Sequence, residues 1–139
     1  MKKVKIVLVV LLGLVLCSAA VPKKADYKKK AETFLSGIIR GQIDESYDEL
    51  ISNTLLESKP QQVKLAKGQT SAVINMYGKL LDYEFIKQQK YGDSIVRIVY
   101  VLKSEQAPFT WEFYFYKAVS DWKLIQFNFN DKFDLLADK

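Results

Sequence analysis

Phe109-Thr110-Trp111-Glu112-Phe113-Tyr114-Phe115-Tyr116 is the stretch that decides the fold. Every second position from 109 to 115 carries a large apolar ring. A repeat of two is that of a β-strand with one buried face. Phe109, Trp111, Phe113 and Phe115 are predicted to face one way, and Thr110, Glu112, Tyr114 and Tyr116 the other. The ring row reads first as core, because burying each ring contributes about 1.5–3 kcal/mol. The same row is a candidate lining for an apolar ligand cavity.

Working outward, the run Ile95-Val96-Arg97-Ile98-Val99-Tyr100-Val101-Leu102 is rich in β-branched residues and predicts a strand over Ser94 to Lys103. Tyr91-Gly92-Asp93 is a turn, and before it Leu81 to Gln88 places Tyr83 and Phe85 on one side. Ser104 to Pro108 is a loop, and Ser120-Asp121 a turn. A last strand runs from Trp122 to Asn130. Leu124, Phe127 and Phe129 all point inward there only if a bulge near Ile125-Gln126 shifts the register. Short connections imply an antiparallel meander. In simple register Arg97, Val99 and Val101 share the outer face with Glu112, Tyr114 and Tyr116. A solvated face this apolar is a candidate partner face or homodimer surface. Cover by a loop or by the C-terminal tail is an equal alternative.

The strands follow helical spacing. Tyr27, Ala31, Phe34, Leu35, Ile38 and Ile39 recur at three and four residues. Gly41 stops that helix, and Asp44 is placed to cap a second one carrying Tyr47, Leu50 and Ile51. Ser58-Lys59-Pro60 opens a third helix, with Pro60 in the first turn, where a missing N–H costs nothing. Gly68 weakens its middle and Gly78 ends it. The expected fold class is α+β: three N-terminal helices packed on a curved four-stranded antiparallel sheet.

Ala31-Glu32-Thr33-Phe34-Leu35 and Gly41-Gln42-Ile43-Asp44-Glu45-Ser46-Tyr47 resemble the opening of the NTF2-like (cystatin-like, α+β cone) superfamily. Met76-Tyr77-Gly78-Lys79-Leu80 is similar to its helix-to-sheet junction. Trp111 to Phe115 and Asp121-Trp122-Lys123-Leu124 are similar to its late strands. The resemblance spans Ala25 to Phe133. It implies a sheet wrapped around a helix with a pocket at the open end. Members include isomerases, dehydratases, ligand binders and dimerisation modules, so the fold does not give the function.

The N-terminus has its own pattern. Met1-Lys2-Lys3-Val4-Lys5 is basic, Ile6 to Leu16 is apolar, and Cys17-Ser18-Ala19-Ala20 is small. That order predicts a signal peptide over residues 1–20, cleavage before Val21, and a secreted, periplasmic or cell-envelope destination for a single domain over 21–139. The apolar run falls short of the roughly 20 residues of a membrane span. Leu14-Val15-Leu16-Cys17 resembles a lipobox, which makes Cys17 a candidate lipidation site, though Leu16 departs from the small residue expected there. A lipid-anchored envelope accessory protein is therefore an alternative, and contact with a membrane follows only from a lipid on Cys17.

Removing residues 1–20 changes the chemistry. The only cysteine goes with them. Lys and Arg fall from 21 to 18 against 16 acidic residues, so the net charge drops from +5 to +2. A nucleic-acid partner loses its electrostatic basis. The chain has no histidine, which excludes Ser-His-Asp and Cys-His catalysis and the usual zinc sites. No phosphate-binding glycine loop is present, and no cofactor is expected. Asn128, Asn130, Asp131 and Asp134 offer oxygens but lack the glycine and terminal glutamate of an EF-hand. The lysines at 23, 24, 28, 29 and 30 read as a solvated run, with an anionic lipid surface as the alternative.

Carboxylate and tyrosine chemistry remains. Tyr77, Asp82 and Tyr83 fall at the helix-to-sheet junction and are weak candidates for a base and a hydrogen-bond donor, as in the isomerase branch of the resembled superfamily. The expected function is an exported, non-enzymatic module that binds a small ligand or a protein. A small lyase or isomerase using a carboxylate and a tyrosine in the cone is the alternative.

Overall fold

The computed structural model describes residues 26–133 and Leu136. The predicted signal peptide and Cys17 lie outside the described residues. So do the first lysines of the basic run and Asp134.

The first helix, α1 (Asp26–Ile39), buries the stripe that its spacing predicts: Tyr27, Ala31, Phe34, Leu35 and Ile38. It ends where Gly41 takes φ +78, a backbone region that costs other residues a clash at Cβ. Gln42 N–H donates back to Gly37 O at 2.9 Å and closes the corner. Helix α2 (Ile43–Ile51) starts there with Gln42 at its cap and no side-chain capping bond. Asp44 is thus not the cap. It sits one residue inside, with Glu45, where a negative charge suits the helix dipole. A 3₁₀ turn, Leu55–Ser58, follows; Thr54 Oγ1 accepts from Leu56 N–H at 3.2 Å to start it.

Helix α3 (Pro60–Tyr77) has Pro60 at its first position and runs unbroken through Gly68. A Cβ at Gly68 would meet nothing within 4 Å, so the glycine costs only its propensity, about 1 kcal/mol.

The strands are β1 (Leu80–Tyr91), β2 (Ile95–Ser104), β3 (Phe109–Lys117) and β4 (Trp122–Asn130), in one antiparallel sheet of order β1-β2-β3-β4. The α+β class is as expected: three helices, then a four-stranded meander. Tyr100 pairs with Trp111 and Ile98 with Phe113, so the ring row of β3 and the even-numbered residues of β2 share the inner face. Between Tyr114 and Phe115 the partner on β4 jumps from Gln126 to Leu124. Ile125 is the extra residue, and Leu124, Phe127 and Phe129 all turn inward. A second shift, between Phe85 and Lys87, leaves Ile86 unpaired in β1. Each bulge bends its strand and adds twist.

All three helices lie on the inner face. Phe34 of α1 meets Trp111 edge-on at 5.0 Å between ring centres, Tyr27 meets Trp122 at 5.0 Å, and Tyr47 of α2 meets Phe127 at 5.6 Å. Tyr77 at the end of α3 stacks on Phe109. Phe109, Trp111, Phe113 and Phe115 are at most 1% exposed. They are core.

Candidate functional site

The space between the helices and the sheet is filled by their own side chains. Trp111 stacks on Phe129 at 4.7 Å and is flanked by Phe34, Phe113 and Phe127. Its indole N–H has no acceptor, and Trp111 lines none of the grooves described below. Tyr47 reaches into the same core. Its hydroxyl and that of Thr70 lie 2.8 Å apart, tying α2 to α3. Burial pushes the Tyr47 phenol up, and the bond to Thr70 only partly opposes this.

The junction candidates separate. Asp82 is exposed, and its carboxylate accepts from the backbone N–H of Tyr83 at 2.8 Å. Neither tyrosine hydroxyl bonds to it. Tyr83 turns inward against Tyr100 and lines an open groove of about 310 Å³ under α1, with Glu32 and Arg40. Tyr100 O–H donates to Glu32 at 3.1 Å, and burial, with Tyr83 and Tyr27 adding to it, holds the Tyr100 phenol well above its usual range. Tyr77 donates instead to Asp131 at 2.8 Å, which raises the Tyr77 phenol. The carboxylate beside Tyr77 thus comes from the far end of β4, 54 residues away. No local spacing could have paired them.

The outer face is more closed than its register suggests. Arg97 and Glu112 are ion-paired, with side chains 11% and 6% exposed. Tyr114 O–H donates to the same Glu112 oxygen at 3.1 Å. Burial opposes the Arg97 charge, but the bond and charge of Glu112 outweigh it and its pKa goes up. Burial and Glu112 together raise the Tyr114 phenol. Val99 is fully buried and Val101 half-buried. Tyr116 is exposed, in one row with Ile95 and the exposed Tyr91.

The open feature that sequence reasoning missed lies between α3 and β4. Helix α3 buries only Val63 and Thr70. Beside it run two adjoining grooves of about 440 and 450 Å³, which share Gln69 and Phe129. The first is lined by five consecutive β4 residues, Ile125 to Phe129, facing Val63 and Ala66. Side chains on a strand alternate between faces. Past the bulge at Ile125, Gln126 to Phe129 still line it in a row, as they do where a groove reaches the backbone of an edge strand, and β4 is last in the sheet order. Lys59 stands at the start of α3 and Asp131 past the end of β4, so one end of the double groove is basic and the other acidic. Met76, 70% exposed, and Ile125, 45% exposed, mark its rims. No advance signal existed: α3 carries Val63, Leu65, Val73, Ile74, Met76 and Tyr77, a share like that of α1, yet Leu65 and Met76 stay exposed.

Among the described residues no group of three or more Asp, Glu, Cys or His side chains is placed to hold a metal. No described helix is long and apolar enough to cross a membrane.

No protein-family model matches the chain, and no curated protein matches it. A solved structure similar to it is that of a DUF4783 family protein from Bacteroides uniformis. The two are 12% identical with a TM-score of 0.49, and the alignment covers 73% of this chain and 95% of that one.

Proposed function

We propose that the chain is an exported, non-enzymatic protein-interaction module, that it belongs to the NTF2-like chains, and that its working surface is the α3–β4 groove. One observation carries the choice of a protein over a small ligand. The place where a cone would hold its ligand is occupied by Phe34, Trp111 and Phe113, each at most 2% exposed, whereas the open space lies along a strand edge. The element order, the stop at Gly41 and the bulged last strand support the superfamily. The basic, apolar and small order of residues 1–20 supports export.

Site-specific photo-crosslinking in the cells that make the protein tests this reading. A photoreactive phenylalanine analogue at Met76, on the groove rim, is expected to give a discrete protein adduct. The same analogue at Val119, 91% exposed in the β3–β4 turn, is expected to give none. Adducts from neither position would overturn the reading.

A second reading, a small lyase or isomerase, rests on the Tyr77–Asp131 pair, which lines the groove at its acidic end. A homodimer through the outer face rests on the exposed tyrosines 91 and 116. Sedimentation equilibrium separates it: Tyr116→Lys would dissociate such a dimer.

A further inference from the structure

We infer that the occupant of the α3–β4 groove is an extended peptide that adds to β4 as a fifth, antiparallel strand. The inference rests on the interaction-module reading and names its partner class.

The first support is the ladder. In an antiparallel pair, successive residues turn their N–H and C=O groups alternately toward and away from the partner strand. Lys117 N–H donates to Ser94 O at 2.8 Å, so the odd-numbered residues of β3 bond toward β2 and the even-numbered ones toward β4. Thr110, Glu112 and Tyr114 face Asn130, Asn128 and Gln126. Thr110 Oγ1 also donates to Asn130 O at 3.1 Å, which places that carbonyl on the β3 side. The N–H and C=O groups of Phe127 and Phe129 therefore point the other way, out of the sheet edge. That edge is the wall of the groove. No other described strand pairs with it. An edge of this kind is a template for a further strand.

The second support is what flanks the edge. A strand laid on Phe127 and Phe129 has alternate side chains on the inner face, beside those two rings and the Val63 and Val73 positions of α3. Apolar residues are required there and not at the intervening positions. α3 stands along one side of the groove.

The third support is charge. Helix α3 and β4 run in the same direction along the groove, so Lys59 lies toward the Ile125 end and Asp131 beyond the Asn130 end. A strand antiparallel to β4 enters at Asp131 and leaves at Lys59. It is matched when a basic residue precedes an acidic one by about five positions, at roughly 3.3 Å per residue.

The probe is acetyl-Lys-Val-Thr-Val-Thr-Glu-amide, with valines on the inward side. Titrated into the protein, it is expected to slow hydrogen exchange of the Phe127 and Phe129 amides at least tenfold. N-methylation of both valines removes the donors that face β4 and is expected to weaken binding at least tenfold. N-methylation of both threonines leaves it within about twofold. The peptide with Lys and Glu exchanged binds several-fold more weakly to the natural chain and recovers on a Lys59→Glu, Asp131→Lys variant. Both replaced residues are exposed; Asp131→Lys also removes the bond from Tyr77, so the variant's circular dichroism and melting are compared with those of the natural chain.

Equal binding of the N-methyl-valine peptide would overturn strand addition and leave the groove as an interaction site. No protection of Phe127 and Phe129 at millimolar peptide, with the Met76 crosslink intact, would overturn it as well. A dimer joined through β4 that the peptide does not displace would replace the peptide by a second copy. Loss of both the crosslink and the protection would overturn the module reading together with the inference.

Discussion

Arg97 on β2 and Glu112 on β3 are paired diagonally across the ladder, on the sheet face that no described helix covers, and both side chains are nearly shut off from solvent. Removing one partner leaves a charge without its counter-charge in a poorly solvated place. Glu112→Ala is expected to cost about 3–5 kcal/mol, whereas Arg97→Met with Glu112→Leu costs far less. Urea unfolding of the single and double variants measures both.

Tyr47 and Thr70 give the equivalent test inside the helical layer. Thr70→Val leaves the Tyr47 hydroxyl with only a long contact of 3.4 Å to Ala66 O and is expected to cost about 1–3 kcal/mol. With Tyr47→Phe added, the combined cost falls short of the sum of the two single costs, because both changes remove one bond.

Alkaline pH acts through the same phenol. Tyr47 and Tyr100 are fully buried and hold their protons above the ordinary phenol value. Above about pH 10 an unfolded tyrosine loses its proton and these two keep theirs. The folded state then binds more protons, so stability is whole below pH 10 and falls as pH rises past it. The slope is up to about 1.4 kcal/mol per pH unit for each group. Thermal unfolding from pH 8 to 11 reads this slope, and Tyr47→Phe or Tyr100→Phe makes it shallower.

Two glycines are expected to respond in opposite directions. A Cβ on Gly37 would collide with Ser46 Oγ and meet Ser46 Cβ at 3.1 Å. Gly37→Ala is therefore expected to cost about 1–3 kcal/mol by forcing α1 off α2. Ser46→Gly restores part of that loss. Gly68→Ala fills open space on a continuous helix and is expected to gain up to about 1 kcal/mol. Denaturation midpoints decide each sign.

The proposed export has a direct readout. Intact mass of the protein recovered outside the cytoplasm is expected to begin at Val21. A diacylglycerol adduct on Cys17 would support the lipid-anchored alternative instead.

Much of this architecture was legible because strand and helix periods differ. The alternation in β3 and the out-of-step Leu124, Phe127 and Phe129 were enough to place a bulge at Ile125, where the register does shift. Pro60 and Gly78 marked α3 correctly. Asp44 misled because a capping residue is defined by backbone angles that Gly41 displaced by two positions. Alternation puts Glu112 on the outer face with no partner assigned, since burial of a carboxylate depends on Arg97 and Tyr114 arriving from a neighbouring strand and from two residues on. The groove was invisible for a similar reason: it exists because α3 stands away from β4, and no single segment encodes a gap. The link between Tyr77 and Asp131 likewise needs the whole sheet to be in place.

The strand order also sets how the molecule assembles. Each strand pairs with the one next to it in the chain, so every ladder closes across a short turn and no crossover must wait for a distant segment. The loop-closure entropy is met in small steps. Folding is expected within milliseconds, fast for a protein whose core is mostly sheet. Beyond residue 20 there is no cysteine, so nothing in this path waits for an oxidant. A chain threaded unfolded through a narrow channel can thus regain its shape on the far side from sequence alone, one hairpin at a time.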